Sequence, residues 1–296
     1  SGDHAVIQND IYGGTRSFIE SHFKNYGIDY SFTKDLSSEA FEDCIQENTK
    51  LIYIETPSNP LLKLVDLFAI AKLAKSHRIV TAADNTFASP IVQNPLDLGV
   101  DIVMHSATKY FGGHSDISAG AVASSQEIMD KIWNLSKDFG GNLSDYTVWL
   151  LERSMKTLGI RVKAQQRNAK RLAKFLNKHT AVKSVYYPGL KTNEYHGLAK
   201  IQMKGFGAMM SFELTEEYNA EAFLKALELI KPSMSLAGVE STMLLPCKTS
   251  HALLSDSDRL SQGITDQLIR FSVGIENKSD LINDIEQAIS ASHSKR

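Results

Sequence analysis

Two short segments bring reactive side chains to the ends of apolar runs. Arg78-Ile-Val-Thr-Ala-Ala83 leads into Asp84-Asn85-Thr86, and Asp101-Ile-Val-Met104 leads into His105-Ser106-Ala107-Thr108-Lys109. In an open α/β sheet, ligands bind beyond the carboxyl ends of the strands, so an acid and an amine that end two strands meet at one rim. A lysine withdrawn from water is pushed toward its neutral, nucleophilic form and can condense with a carbonyl as a Schiff base. An aspartate at a neighbouring strand end can keep a pyridine nitrogen protonated. The hydroxyls of Ser106 and Thr108, beside the amine, suit the phosphate of a small anionic cofactor.

The same residues have plainer readings. A strand-end aspartate also serves Mg²⁺ in phosphate-loop NTPases, but that chemistry needs G-x-x-x-x-G-K-[ST], which the chain lacks, as it lacks G-x-G-x-x-G. Lys109-Tyr110-Phe111-Gly112-Gly113 also fits a solvated turn, and spacing alone leaves that alternative open. His105 and His114 have no cysteine or third histidine at zinc spacing, so no metal site is expected. No G-x-S-x-G elbow points to a serine hydrolase.

The elements around these residues read as α/β. Apolar runs at 5–8, 50–54, 78–84, 101–104 and 119–123 predict strands, several too uniformly apolar to face water, as in a mainly parallel sheet covered on both faces. Periodic spacing predicts helices at 36–47, with Ser37 or Ser38 as cap, and at 65–77, where Leu67, Ile70, Ala71 and Ala74 form one stripe. A helical pattern from 146 to about 178, broken near Gly159, marks the expected division into domains at 1–145 and 146–296. Strands at 182–187, 208–214, 234–236 and 268–273 with helices at 220–230 and 279–291 predict a smaller α+β domain.

Composition narrows the classes. At 296 residues, 43% of them hydrophobic, the chain is long enough for about two globular domains. Thirty-two basic residues balance thirty-four acidic ones, so no global field gathers nucleic acid, and no apolar run approaches the ~20 residues of a membrane span. Lys163, Arg167, Lys170, Arg171 and Lys174 form a basic helical face that reads as solvated. Two cysteines make no disulfide framework, and a cytoplasmic home is expected. The opening Ser1-Gly2-Asp3-His4, without Met, reads as a fragment or a processed start.

The run His105-Ser-Ala-Thr-Lys-Tyr-Phe-Gly-Gly-His-Ser-Asp116 resembles the lysine motif of the Cys/Met-metabolism pyridoxal-phosphate (PLP) enzymes, the trans-sulfuration family. Asp10-Ile-Tyr-Gly-Gly-Thr15, Glu55-Thr-Pro-Ser-Asn-Pro60, Asp84-Asn-Thr-Phe87, Leu151-Glu-Arg-Ser-Met-Lys-Thr-Leu158, Ser235-Leu-Ala-Gly-Val-Glu-Ser241 and Leu268-Ile-Arg-Phe-Ser-Val-Gly-Ile-Glu276 follow in the family's order. The resemblance implies the aspartate-aminotransferase-like fold (fold type I) and PLP as cofactor. It makes Lys109 the cofactor-bearing lysine and catalytic base, Asp84 the partner of the pyridinium nitrogen, and Tyr12 the ring-stacking and catalytic tyrosine. Ser106 and Thr108 would bind phosphate, Thr86 and Asn59 the cofactor, and Arg270 with Asn59 and the Ser235 backbone the substrate.

As activity, the resemblance implies a carbon–sulfur lyase acting on an amino acid, cystathionine γ-lyase first. Cystathionine β-lyase and cystathionine γ-synthase or O-acylhomoserine sulfhydrylase are the alternatives, and a degenerate structural or interaction subunit is the non-enzymatic one. Methionine γ-lyases carry Cys where this chain has Gly14, and many eukaryotic γ-lyases carry Glu where it has Met234. A homo-oligomer, a dimer of dimers, is the implied assembly. The family's N-terminal arm and glycine-containing phosphate loop would precede Ser1. Each charge-assisted phosphate contact is worth ~1.5–3 kcal/mol, so the chain as written is expected to bind PLP weakly and turn over slowly or not at all. An upstream segment, fused or added in trans, is expected to restore both; a PLP titration showing tight stoichiometric binding with full activity would contradict this.

Overall fold

The computed structural model describes residues 1–293 apart from 251, 253 and 254. The chain runs β1 (His4–Ile7), α1 (Gly13–His22), β2 (Asp29–Phe32), α2 (Ser38–Glu42), β3 (Thr49–Glu55), α3 (Leu67–Ser76), β4 (Val80–Asp84), β5 (Ile102–Ser106) and β6 (Gly120–Ser124). These strands form one sheet in the order β2-β1-β3-β4-β5-β6, parallel except for the β5–β6 pair. Both faces of its centre are covered, as its apolar strands require. Val6, Ile52, Ile54 and Ala83 pack with Phe41 and Ile70 from α2 and α3 on one side. On the other, Ala5, Ile7, Tyr53 and Ala82 pack with Ile19 of α1.

The rest of the chain comprises α4 (Gln126–Phe139), α5 (Asp145–Met155), α6 (Leu158–Leu176), β7 (Val182–Tyr186), α7 (His196–Gln202), β8 (Met209–Leu214), α8 (Ala220–Ala226), β9 (Lys231–Pro232), β10 (Thr242–Leu244), α9 (Asp256–Ser261), β11 (Leu268–Ser272) and α10 (Lys278–Ser292). Its sheet has the order β7-β8-β11-β10-β9, antiparallel apart from β9–β10. One continuous core joins Phe87, Val92 and Tyr110 near the first sheet to Val162 and Leu172 of α6 and Phe212 and Phe271 of the second.

Several expected elements change shape. The strand at 119–123 is β6, an antiparallel and largely exposed edge rather than a covered parallel strand. The helix expected over 36–47 shrinks to α2, capped by Ser37, whose hydroxyl accepts the Ala40 N–H at 3.3 Å. No strand forms over 234–236. There Arg270 draws the Met234 carbonyl (3.0 Å), and Ala237, at φ +63°, donates its N–H to the Ser272 hydroxyl (2.7 Å). The helix expected to reach 230 ends at Ala226, because the Asp284 carboxylate collects the N–H groups of Glu228, Leu229 and Ile230. Helix α1 had no sequence signal, since Gly13 and Gly14 open it against their own propensity.

A buried amide network fixes the rim where β3 and β4 end. Gln93 Nε2 donates to the Thr56 carbonyl (2.9 Å) and to Asn85 Oδ1 (3.0 Å), while its Oε1 accepts from Gln202 Nε2 of α7 (3.1 Å). Asn85 Nδ2 returns a bond to the Gln93 carbonyl (2.8 Å). Each buried polar group left unmatched costs about 1–3 kcal/mol. Gln93→Leu strands two acceptors and one donor next to Asp84, so its unfolding free energy is expected to fall by at least that amount, read as a lower urea midpoint at unchanged m-value; a wild-type midpoint would show the network to be dispensable.

Candidate active site

The carboxyl ends of β1, β3, β4 and β5 open on a cavity of about 770 Å³, lined among others by Tyr12, Asn59, Asp84, Ser106, Lys109 and Arg270. Thr86 lines it too. This is the crevice position that open parallel sheets use for ligands, and the volume lies in the range of small-molecule sites. Two expected residues stand outside the lining. Thr108 turns its hydroxyl into its own loop, where it accepts the Ala119 N–H (3.0 Å) and donates to the Ala119 carbonyl (3.3 Å). Ser235 sits between the two lining residues Met234 and Leu236, its carbonyl accepting from the Thr242 hydroxyl at 3.0 Å.

Lys109 follows β5 in a tight turn in which its N–H donates to the Ser106 carbonyl at 3.0 Å. Among the described residues no carboxylate pairs with its amine. Burial, and secondarily the Arg270 charge, lowers the amine pKa, which favours the neutral nucleophile. Asp84 ends β4 next door. Its Oδ1 accepts both the Thr86 N–H (2.9 Å) and the Thr86 hydroxyl (2.5 Å), and that hydroxyl accepts the Ser106 N–H (2.8 Å). Thr86 therefore ties the ends of β4 and β5 together and fixes the acid relative to the amine. Burial raises the Asp84 pKa against the lowering effect of these hydrogen bonds.

Arg270, on β11, reaches the cavity from the second sheet and is 3% exposed. Its guanidinium donates to Asn59 Oδ1 (3.3 Å) and to the Met234 carbonyl (3.0 Å), both neutral acceptors. Burial pulls its pKa down to about 10. A buried fork without a carboxylate among the described residues is built to take one from a ligand. Tyr12, half exposed, borders the cavity, and a side chain at position 14 would meet its ring 2.5 Å away, so this placement of the ring needs Gly14.

Glu55 has a place in the site that its motif alone does not assign. It ends β3 in parallel register with Asp84 and accepts the N–H groups of Tyr12 (2.7 Å) and Asn59 (3.3 Å). Burial first, then Asp84, raises its pKa well above the usual range. The signal was available: Glu55 terminates an apolar run just as Asp84 does. His105 is a second addition. Its ring lines an adjoining cavity beside Tyr12, Asp84 and Ser106 and stacks on Phe111 at 4.7 Å, and burial lowers its pKa to about 4, so it brings no charge there.

This donor set fits PLP. An amine with no carboxylate partner among the described residues and a strand-end carboxylate lie in one cavity large enough for a pyridine ring, Ser106 offers a hydroxyl for phosphate, and Tyr12 offers a flat face. The phosphate donors are sparse on this wall, with Thr108 turned away. Comparison with known proteins agrees. The family model of the Cys/Met metabolism PLP-dependent enzymes matches residues 1–290. Cystathionine gamma-lyase of Bacillus subtilis (strain 168) is 46% identical over 290 residues, which is 98% of this chain and 76% of that protein. Cystathionine beta-lyase of Lactococcus lactis subsp. cremoris (strain MG1363) is 43% identical, with the same shares covered. A crystal structure of cystathionine gamma-lyase from Lactobacillus plantarum, complexed with L-serine, superimposes with a TM-score of 0.96 at 44% identity, covering 99% of this chain and 77% of that one. With the fold of those relatives and a cavity that fits their cofactor, the chain belongs to the Cys/Met metabolism PLP-dependent enzyme family.

Proposed function

We propose that this enzyme is a cystathionine γ-lyase, cleaving the Cγ–S bond of cystathionine with water to give cysteine, 2-oxobutanoate and ammonia. The observation that carries the reading is the trio Lys109, Asp84 and Arg270 in one cavity, each without an ionic partner among the described residues. The 46% identity to a protein named cystathionine gamma-lyase favours Cγ over Cβ. The second reading, β-elimination to homocysteine, pyruvate and ammonia, has the 43% relative behind it. Identifying the keto acid separates the two: 2-oxobutanoate supports the first and pyruvate overturns it.

PLP, when bound, supplies the sink for the electron pair left at Cα. The chain's own groups then divide the work. Arg270 forks onto the substrate carboxylate, with Asn59 and the Met234 carbonyl holding the guanidinium in plane. Lys109 Nζ takes the Cα proton, for which its lowered pKa is suited. Asp84, its carboxylate fixed by Thr86, would be the group to keep the ring nitrogen of PLP protonated. Tyr12, its backbone pinned by Glu55, would offer its ring to the face of the cofactor. Ser106 serves the phosphate.

The remaining features fit this reading. Trp133 and Phe139 of α4 and Tyr146 and Trp149 of α5 are exposed, which supports a homo-oligomer, proposed as a dimer of dimers. Cys44 and Cys247 are free, which suits a cytoplasmic enzyme. The division into units at 1–145 and 146–296 is proposed on the two separate sheets. Among the described residues no helix is long and apolar enough to cross a membrane.

Lys109→Ala is expected to lower turnover by about 10²–10⁴-fold or more while the circular dichroism of the fold is retained; a few-fold loss would remove Lys109 from the chemistry. Arg270→Ala is expected to raise KM for the amino acid by at least about tenfold, since breaking a buried charge-assisted pair costs ~2–5 kcal/mol, with cofactor content little changed. An unchanged KM places the carboxylate elsewhere. Asp84 also predicts a pH effect on the cofactor-free protein. Its folded pKa lies above the ordinary 3.8, so the native state holds the proton more tightly than the unfolded one, and stability falls as pH rises from there through the raised value. Asp84→Asn removes that loss. Its urea midpoint relative to wild type is expected to improve as pH rises through this window, and a pH-independent difference would refute the shift.

A further inference from the structure

Helix α6 carries one cation unlike the rest. Lys163, Arg167, Lys170, Arg171 and Lys174 are exposed, whereas Arg161, in the first turn, is 5% exposed on the buried face. No carboxylate among the described residues pairs with it. Its guanidinium donates instead to the carbonyls of Tyr110 (2.8 Å), Phe111 (3.2 Å) and Ser154 (3.0 Å) and to the Thr157 hydroxyl (3.2 Å). Tyr110 and Phe111 directly follow Lys109. The turn they belong to is closed by Gly112 N–H on the Ala107 carbonyl (2.8 Å) and Gly113 N–H on the Lys109 carbonyl (2.7 Å). Gly113, at φ +70°, leaves the room: a Cβ there would lie 1.9 Å from Arg161 Nη1.

The same buried face continues the pattern. Gln165 Nε2 donates to the Gly238 carbonyl (2.7 Å), and Asn168 Nδ2 donates to the carbonyls of Gly274 (3.1 Å) and Glu276 (2.8 Å). Gly113 and Val239 are bonded to each other, the Val239 N–H to the Gly113 carbonyl at 2.9 Å. Three polar residues at helical spacing thus fasten the turn bearing Lys109, the loop whose Met234 carbonyl holds Arg270, and the chain just past β11. Helix α6 is a rigid post for this purpose, with Val162, Ala169, Leu172 and Ala173 fully buried in the shared core.

We propose that Arg161 is a positioning residue for Lys109, its fork on the Tyr110 and Phe111 carbonyls setting the direction in which the amine enters the cavity. The inference rests on the Lys109 reading given under Proposed function. Lysine at 161 keeps the charge, but a single ammonium cannot reproduce a planar fork on two carbonyls; methionine removes both.

The test compares wild type, Arg161→Lys, Arg161→Met and a control, Lys163→Met on the exposed face, each well below its melting temperature. Cofactor-free proteins are mixed with PLP, the rate of Schiff-base formation is followed by absorbance, and borohydride trapping with mass spectrometry locates the label. Visible circular dichroism of the bound chromophore, and the acylation rate of Lys109 by acetic anhydride without PLP, report its orientation independently of turnover. Expected are label on Lys109 in wild type and control, and in both Arg161 variants at least about tenfold slower formation with altered visible dichroism and altered acylation. Wild-type rates and dichroism in Arg161→Lys, whatever its melting temperature, would overturn the positioning role. Label on a lysine other than Lys109 in wild type would overturn the Lys109 reading itself, and the positioning role with it.

Discussion

Four charged side chains, Glu55, Asp84, Lys109 and Arg270, share one cavity, and no ion pair joins them. Charge withdrawn from water without a partner is costly, and each group answers by shifting toward its neutral form: both carboxylates up, both cations down. The arrangement persists because the scaffold prevents the groups from collapsing onto one another. Asp84 is held by Thr86, Arg270 by Asn59 and Met234, and Glu55 by two backbone N–H groups. Under the proposed function, a ligand carrying a pyridine nitrogen and an aldehyde, and a substrate carrying a carboxylate, would meet these electrostatic demands.

The topology supplies these positions at little local cost. Parallel strands β3, β4 and β5 end on one rim: Glu55 and Asp84 arrive there in register, β5 runs two residues past Met104, the partner of Asp84, to Ser106, and the Lys109 turn follows within three residues. Antiparallel β11 brings Arg270 from the other sheet, and the amide network of Gln93 and Gln202 locks α7 against the rim. Arg270 and the Lys109 turn thus reach one cavity from two sheets that share a core with α6.

Much of this was legible beforehand, for identifiable reasons. Strand-end polar residues after apolar runs pointed to Asp84 and to Lys109, because burial on both faces leaves a parallel strand little sequence freedom. Glu55 obeys the same rule. Arg161 was invisible, since its acceptors are main-chain carbonyls fifty residues away and carry no side-chain signature. Thr108 shows the converse limit: spacing placed its hydroxyl near the amine, but whether it faced the cavity or Ala119 depended on the loop's path. The missing strand at 234–236 had the right residue types, and tertiary bonds from Arg270 and Ser272 overrode them.

The central claim is that Asp84 faces the nitrogen of the bound ring and keeps it protonated. The most direct measurement is the ¹⁵N chemical shift of ring-labelled PLP bound to the protein at about pH 8, where the free pyridine nitrogen readily gives up its proton. A pyridinium shift is the predicted result. A neutral pyridine shift would mean that the ring nitrogen has no acid beside it, and that the Asp84 carboxylate serves something else.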